Sequence, residues 1–152
     1  MIIFTIISFF LENIIGLLFN NHYIIPLFFL ISLLIFYQVK NIKWEKYLLY
    51  ITLLGFIYDI VYTNIYINSL LFFLIGGLNI LYNKYLNNSF IMNLLFIIFA
   101  LISYEVIYYF IYIMLGLNIF DILVLLKSII LVLPINIVYY ILSILFISRF
   151  ER

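Results

Sequence analysis

The sequence predicts an all-α fold, namely a polytopic bundle of about six transmembrane helices, and two observations lead to this. Of the 152 residues, 70% are hydrophobic and only 9% are charged, whereas soluble domains are about 45–50% apolar and about 25% charged. Short polar interruptions also divide the chain into apolar segments close to the ~20 residues that a helix needs to cross a bilayer. Residues 1–152 are therefore expected to form a single integral membrane domain.

The expected helices follow one another through short connections, which exclude a separate catalytic domain outside the membrane. They run from Ile2 to Phe19, from near Ile24 to before Lys40, from Tyr47 to Tyr62, from Ser69 to Tyr82, from Phe90 to Leu115, and from Asp121 to near Ile147. Thr63–Asn68 is expected to be a turn and Asn83–Ser89 a loop. Pro26 suits a first helical turn, and Asp121 suits an N-cap. The first segment has no basic start, so retention as a membrane helix is expected.

Lysine and arginine residues are sorted to one side of this arrangement. With the N-terminus inside, the outer connections contain neither residue type, and the inner connections and C-terminal end hold Lys40, Lys43, Lys46, Lys84, Arg149 and Arg152. The positive-inside rule therefore places both termini in the cytoplasm. The aromatic residues beside these lysines are expected to form an interfacial belt that contains Trp44, Tyr47, Tyr82 and Tyr85.

Four ionisable residues fall inside the predicted spans: Glu12, Asp59, Glu105 and Lys127. A charged side chain at the centre of a membrane helix costs about 2.5 kcal/mol or more. With a rise of about 1.5 Å per residue, all four lie between the midplane and the outer third. We therefore expect a shared polar centre in which Lys127 neutralises one acid, and Asn136 is expected to add an interhelical hydrogen bond. On an ideal helix Lys127 and Asn136 point in opposite directions, but Pro134 lies between them and can kink the helix, which leaves their relative direction open.

Two kinds of role for this polar centre stay open at this point. The charges can hold the bundle together and dock a partner, or they can form a ligand pocket or a proton path. Because three acids face one lysine, at least one acid must be protonated, hydrated at the outer face, or neutralised by a partner. The second helix has no polar stripe beyond Ser32, so it is expected to face lipid more widely. The pair Gly76-Gly77 is expected to mark a close helix contact or a bend.

Several function classes find no support in the sequence. There are no cysteines and only one histidine, so a thiolate or zinc site is not expected. A net charge of +1 gives no electrostatic basis for binding nucleic acid. The chain lacks a glycine-rich phosphate loop, and no motif of an intramembrane protease is present. No enzymatic activity, metal or cofactor is therefore expected.

Three stretches of the chain resemble the rod shape-determining protein MreD family of bacteria. They are Phe10-Leu11-Glu12 in the first helix, Gly55-Phe56-Ile57-Tyr58-Asp59 in the third, and Leu133-Pro134-Ile135-Asn136 followed by Tyr139-Tyr140 in the last. Tyr104-Glu105 in the fifth helix is also similar to the family. The resemblance extends over nearly the whole chain in size, number of spans and absence of a soluble domain.

This resemblance implies a non-enzymatic scaffold or regulator of cell-wall elongation in the bacterial cytoplasmic membrane. The implied partner is an MreC-like protein and, through it, MreB, RodA and a penicillin-binding transpeptidase. Glu12, Asp59 and Glu105 would then line or brace a groove for the partner's membrane helix. The family's fold is similar to the S components of energy-coupling-factor vitamin transporters, so a substrate-binding S component is the alternative function. S components commonly carry an Ala-x-x-x-Ala docking pattern, but this chain has a single alanine, Ala100.

Overall fold

The structure is a computed structural model, and it describes residues 2–19, 26–40, 42–62, 66–86, 89–117 and 119–150. These residues form six α-helices and no β-strand, which confirms the predicted all-α class and the number of helices. The helices are α1 (Ile2–Phe19), α2 (Phe28–Val39), α3 (Trp44–Tyr62), α4 (Ile67–Tyr85), α5 (Phe90–Met114) and α6 (Ile122–Phe150).

The largest differences from the predicted boundaries concern α2 and α4. α4 begins before Ser69 and ends after Tyr82, so Asn68 and Asn83, which were predicted in connections, belong to the helix. α2 begins at Phe28, and Pro26 therefore precedes the helix instead of opening its first turn. The predicted polar break at residues 20–22, most of the turn after α3, and positions 41, 87–88, 118, 151 and 152 lie outside the described residues.

Local hydrogen bonds explain where α5 and α6 end and begin. The backbone N–H of Leu123 donates to Asp121 Oδ1 at 2.8 Å, which confirms Asp121 as the N-cap of α6. After α5 the chain turns at Gly116, whose φ of 71° is in the left-handed region that favours glycine. There the N–H of Leu117 donates to the carbonyl oxygen of Tyr112 at 3.0 Å, and that of Gly116 donates to Ile113 at 2.9 Å. This pair of bonds is the Schellman motif that closes many helices.

The chain divides into two compact units. The first unit combines Met1–Leu33 with Asp121–Arg152 and contains α1, the beginning of α2, and α6. The second unit, Leu34–Phe120, contains the rest of α2 together with α3, α4 and α5. In the second unit, the most extensive close packing is between α3 and α4.

Two glycines allow the close approach of α3 and α4. A Cβ atom added to Gly55 would lie 2.8 Å from the Cα of Ser69 and 3.1 Å from the carbonyl oxygen of Asn68. A Cβ atom on Gly76 would lie 3.0 Å from Ile51 Cγ2, whereas one on Gly77 would meet no atom within 4 Å. The close contact predicted for the Gly76-Gly77 pair therefore belongs to Gly76. At Gly55 the neighbouring atoms are backbone atoms, which cannot rotate away.

The expectation that α2 faces lipid widely is wrong. Every side chain from Leu27 to Ile35 is buried, and none of them is more than 4% exposed. A helix that is surrounded by protein on all sides is expected to be apolar on all sides and to lack a polar stripe. The absence of a polar stripe on α2 therefore indicates burial within the protein instead of the predicted exposure to lipid.

Two of the described helices, α5 and α6, are long and apolar enough to cross a membrane. α1 and α2 are also apolar but have fewer residues, at 18 and 12. α3 and α4 have 19 residues each and are less apolar on average. Their lower hydropathy comes from residues such as Asp59, Asn68 and Asn79, which are buried in the second unit.

Replacing Gly55 with alanine tests the α3–α4 contact. We expect Gly55→Ala to lower the free energy of unfolding by about 1–3 kcal/mol, because the methyl group must push two backbones apart. Gly77→Ala is the matched control, since it adds the same methyl group to α4 in open space and should leave stability unchanged or slightly higher. The measurement is denaturant unfolding of purified protein in detergent micelles. Equal effects of the two substitutions would contradict the contact.

Candidate functional site

Asp59 lies near the end of α3 and bonds to the beginning of α4. Its Oδ2 accepts a hydrogen bond from the backbone N–H of Ser69 at 2.8 Å, and its Oδ1 accepts one from the N–H of Asn68 at 3.1 Å. The residue before the helix, Tyr66, makes no side-chain cap. Asp59 therefore supplies from another helix the acceptors that the first N–H groups of α4 lack. Acidic side chains are favoured at this positive end of the helix dipole.

The contact at Asp59 extends into a polar network that joins three helices of the second unit. The side-chain amide of Asn68 donates to Asp59 Oδ1 at 2.8 Å. The hydroxyl of Tyr104 on α5 donates in turn to the Asn68 side-chain oxygen. All three residues are buried. A buried network in which donors and acceptors are matched specifies one arrangement of its helices, because a shift would leave polar groups without partners.

Glu12 and Asn136 perform the same task at the beginning of α2 in the first unit. Glu12 Oε2 on α1 accepts a hydrogen bond from the backbone N–H of Phe29 at 2.8 Å. Asn136 Oδ1 on α6 accepts one from the N–H of Leu27 at 2.8 Å, and its amide nitrogen donates to the carbonyl oxygen of Val132. Asn136, for which an interhelical hydrogen bond was predicted, thus bonds to the residue that precedes α2, and its side-chain oxygen helps to cap that helix.

Burial explains why both helix beginnings need distant side chains. Leu27 and Phe29 are buried, as are Asn68 and both acids. Water cannot reach N–H groups at such positions, and an unsatisfied buried donor costs about 1–3 kcal/mol. The two acids are therefore placed by a common requirement: each stands on the helix that precedes the one it caps.

The other predicted site residues have different environments. Glu105 is buried in the second unit, as expected for a polar interior. Lys127, which was expected in the same polar centre as the acids, is instead exposed. It is nine positions from Asn136, about 900° of helical rotation, so the two residues lie on opposite faces of α6. Lys127 is thus exposed, whereas Glu12, Asp59, Glu105 and Asn136 are buried.

Asn79 is a buried polar residue that the sequence reasoning missed. Its amide nitrogen donates to the carbonyl oxygen of Leu34 at 3.1 Å and to the hydroxyl of Tyr47 at 3.1 Å. The signal that could have revealed it is one face of α4 that contains Asn68, Asn79 and Asn83. The predicted boundaries placed Asn68 and Asn83 outside the helix, so this face was not recognised.

The predicted interfacial belt of aromatic residues is only partly exposed. Tyr47 is fully buried, so its predicted place in the belt is wrong, and Tyr82 is also buried. Trp44 and Tyr85 are exposed, as a belt requires.

An apolar groove of about 460 Å³ runs along the first unit. α1 and α6 provide most of its walls, and it is lined by Phe4, Ile7, Leu11, Ile15, Phe28, Ile135, Val138, Tyr139, Leu142, Ser143 and Phe146. Phe28 stacks on Tyr139 at the groove, with ring centroids 4.1 Å apart. The hydroxyl of Tyr139 is bonded to Ser8, and Ser143 Oγ donates to the carbonyl oxygen of Tyr139 at 2.7 Å. These polar atoms have partners, so the groove presents an apolar surface.

Comparison of the chain with protein-family models, curated proteins and solved structures gives no significant match. Within the described residues, no group of three or more His, Asp or Glu side chains is arranged to hold a metal ion.

Replacing Asp59 with asparagine tests its capping role. The amide has the same shape, but its NH₂ group would face a backbone N–H donor instead of accepting from it. We expect Asp59→Asn to lower the free energy of unfolding by about 1–3 kcal/mol. Glu45→Gln is the matched control, because Glu45 is an exposed acid in the first turn of the same helix. Its effect should stay within about 0.5 kcal/mol. Equal stability of Asp59→Asn and the parent protein would contradict the role.

Proposed function

We propose that the chain spans the bacterial cytoplasmic membrane six times, with both termini inside. Support comes from the distribution of polarity, which differs from that in a soluble protein because the exposed faces are largely apolar and several buried positions are polar. The outward faces of α3 and α4 are apolar, with Leu53, Ile57, Leu74 and Leu78 among their exposed side chains. The buried positions of the same helices hold Asp59 and other polar residues. Soluble monomers rarely expose apolar patches larger than roughly a few hundred Å².

The positions of two lysines support the proposed orientation. Lys40 follows α2 and Lys84 is near the end of α4, and both line one pocket of the second unit. The positive-inside rule, applied to the sequence, assigns both positions to the cytoplasmic side. Their proximity is what an antiparallel arrangement with one basic end requires.

We further propose that the protein is a non-enzymatic scaffold or regulator of cell-wall elongation, in keeping with its resemblance to the MreD family. The observation that carries the proposal is the apolar groove of the first unit. It extends from Phe4 to Ile15 on α1 and from Ile135 to Phe146 on α6, which is about 16 Å or three helical turns. This length and surface suit one face of a membrane helix, and we assign that helix to an MreC-like partner.

In this proposal the acids act by bracing the structure around the groove. Phe28 lines the groove and is the first residue of α2. The beginning of α2 is capped by Glu12 from α1 and by Asn136 from α6. A fixed α2 holds the Phe28 ring against Tyr139 and gives the groove a defined wall. Interhelical contacts in membranes rely on such close packing, since lipid offers no hydrophobic driving force between helices. Through the bound partner the scaffold would associate with MreB, RodA and a penicillin-binding transpeptidase.

Reporter fusions test the proposed topology. We expect a cytoplasmic reporter to be active when it is inserted at Asn41 and inactive at Asn118, with the reverse result for a periplasmic reporter. The physical reason is that the connection containing Asn41 adjoins Lys40, Lys43 and Lys46, whereas the one containing Asn118 has no basic residue. Cytoplasmic activity at Asn118 would contradict the six-span arrangement.

Bulky substitutions at the groove test partner binding. We expect Val138→Trp to reduce co-purification of the MreC-like protein about tenfold or more, because the indole ring fills the space that the partner helix needs. Leu145→Trp is the matched control: it places the same side chain on the same helix, at a position that is similarly exposed and does not line the groove. A second pair, Ile7→Trp and Ile6→Trp, repeats the comparison on α1.

Two results would contradict the scaffold proposal. The first is equal co-purification in the groove variants and their controls. The second is strong thermal stabilisation of the purified protein by one compound in a panel of vitamins, which would favour an S component of a vitamin transporter.

A further inference from the structure

A second cavity lies in the other unit and differs in character from the groove. It has a volume of about 330 Å³ and is lined by Tyr37, Gln38, Lys40, Ile42, Trp44, Ile80, Asn83 and Lys84. Both cations come from positions that the sequence assigns to the cytoplasmic side. Trp44 is exposed at its edge, as an aromatic residue at the boundary of membrane and water would be.

Asn79 determines the orientation of the two amide side chains in this cavity. The side-chain oxygen of Asn79, Oδ1, accepts a hydrogen bond from Asn83 Nδ2 at 2.9 Å and a longer one from Gln38 Nε2 at 3.4 Å. The backbone carbonyl oxygen of Asn79 accepts a second hydrogen bond from Asn83 Nδ2. Both amides are therefore held by their nitrogen ends. Their oxygens, Gln38 Oε1 and Asn83 Oδ1, are buried and have no hydrogen-bond partner in the protein. Buried acceptors of this kind are uncommon and require a donor.

The cavity thus combines three requirements for an occupant. Lys40 and Lys84 attract an anionic group. Gln38 Oε1 and Asn83 Oδ1 require hydroxyl or N–H donors next to that group. Ile42 and Ile80 offer apolar contact, as expected where a cavity adjoins the hydrocarbon layer. An ammonium group of the occupant would be repelled by the two lysines, so hydroxyl groups are the more suitable donors to the two amide oxygens.

We propose that this cavity binds the head group of an anionic glycerophospholipid that has free hydroxyls, of the phosphatidylglycerol type. The phosphate lies between Lys40 and Lys84, and the glycerol hydroxyls donate to Gln38 Oε1 and Asn83 Oδ1. The acyl chains continue into the membrane beside Ile42 and Ile80. This inference rests on the membrane placement in the proposed function and is independent of the partner. Anionic lipids of the cytoplasmic leaflet are attracted by basic residues at that surface.

Thermal unfolding of the full-length protein in detergent, with defined lipids added, tests the site. Phosphatidylglycerol should raise the midpoint temperature most. Phosphatidylmethanol has the same charge and no hydroxyl, so it should raise it less, and phosphatidylcholine should have no effect. Free glycerol 3-phosphate supplies the same polar groups without acyl chains and should also have no effect at the same concentration.

Charge variants connect the lipid effect to this cavity. Lys40→Gln and Lys84→Gln should each weaken phosphatidylglycerol binding about fivefold, in line with the value of one lysine near an anionic surface. Lys46→Gln is the matched control, because it removes a nearby lysine that does not line the cavity. Gln38→Met keeps the length of the side chain and removes the acceptor. It should therefore reduce the difference between phosphatidylglycerol and phosphatidylmethanol, because only the Asn83 acceptor remains, while both lipids still bind.

Several outcomes would overturn the inference. They are equal stabilisation by all three lipids, equal loss of binding in Lys46→Gln and the cavity variants, or an effect of glycerol 3-phosphate as large as that of the lipid. A protein that passes the topology test and shows no lipid preference contradicts this inference alone. A protein that fails the topology test contradicts the proposed membrane placement itself.

Discussion

The beginnings of α2 and α4 impose a strict constraint on this protein. Both helices start among buried residues, where water cannot satisfy the first backbone N–H groups. Side chains from other helices must therefore provide the acceptors. Asp59 does so for α4, and Glu12 together with Asn136 does so for α2. The polar residues of α1, α3 and α6 are best understood through this requirement, because each capping contact also fixes the distance and rotation of two helices.

The same contacts account for the chemical character of both units. Once the acids are engaged with backbone N–H groups inside, the outward faces can be almost wholly apolar, as the exposed leucines and isoleucines of α1, α3 and α4 are. Gly55 contributes from the packing side, since the absence of a side chain lets α4 approach closely one turn before Asp59. Packing and capping thus act on the same helix junction. Each unit thereby presents outward faces that are mostly apolar.

Sequence reasoning succeeded where the signal is local. Six helices follow from apolar runs between polar breaks, and the cap at Asp121 follows from one residue at the start of a run. It failed where a residue's environment depends on distant parts of the chain. α2, which has no polar stripe beyond Ser32, was expected to face lipid because burial by protein and exposure to lipid favour the same residues. Tyr47 was assigned to an interface, although Asn79, which is 32 positions away, holds its hydroxyl in the interior. The predicted boundaries of α4 were two or three residues too narrow at each end, so the asparagines on one face of the helix were not recognised as a set.

The sequence by itself determined the all-α class, the order of the helices, the clustering of most cations near the ends of α2, α4 and α6, and the presence of polar groups within apolar segments. These properties depend on composition and spacing along the chain. Only the tertiary structure decided which partner each polar group has. Asn136 accepts a hydrogen bond from the backbone N–H of Leu27, which lies 109 positions earlier in the chain, and Lys127 is exposed although it stands on the same helix as Asn136. The physical reason is that a hydrogen bond requires atoms within about 3 Å, and spacing along the chain does not specify which distant backbone N–H group will lie there.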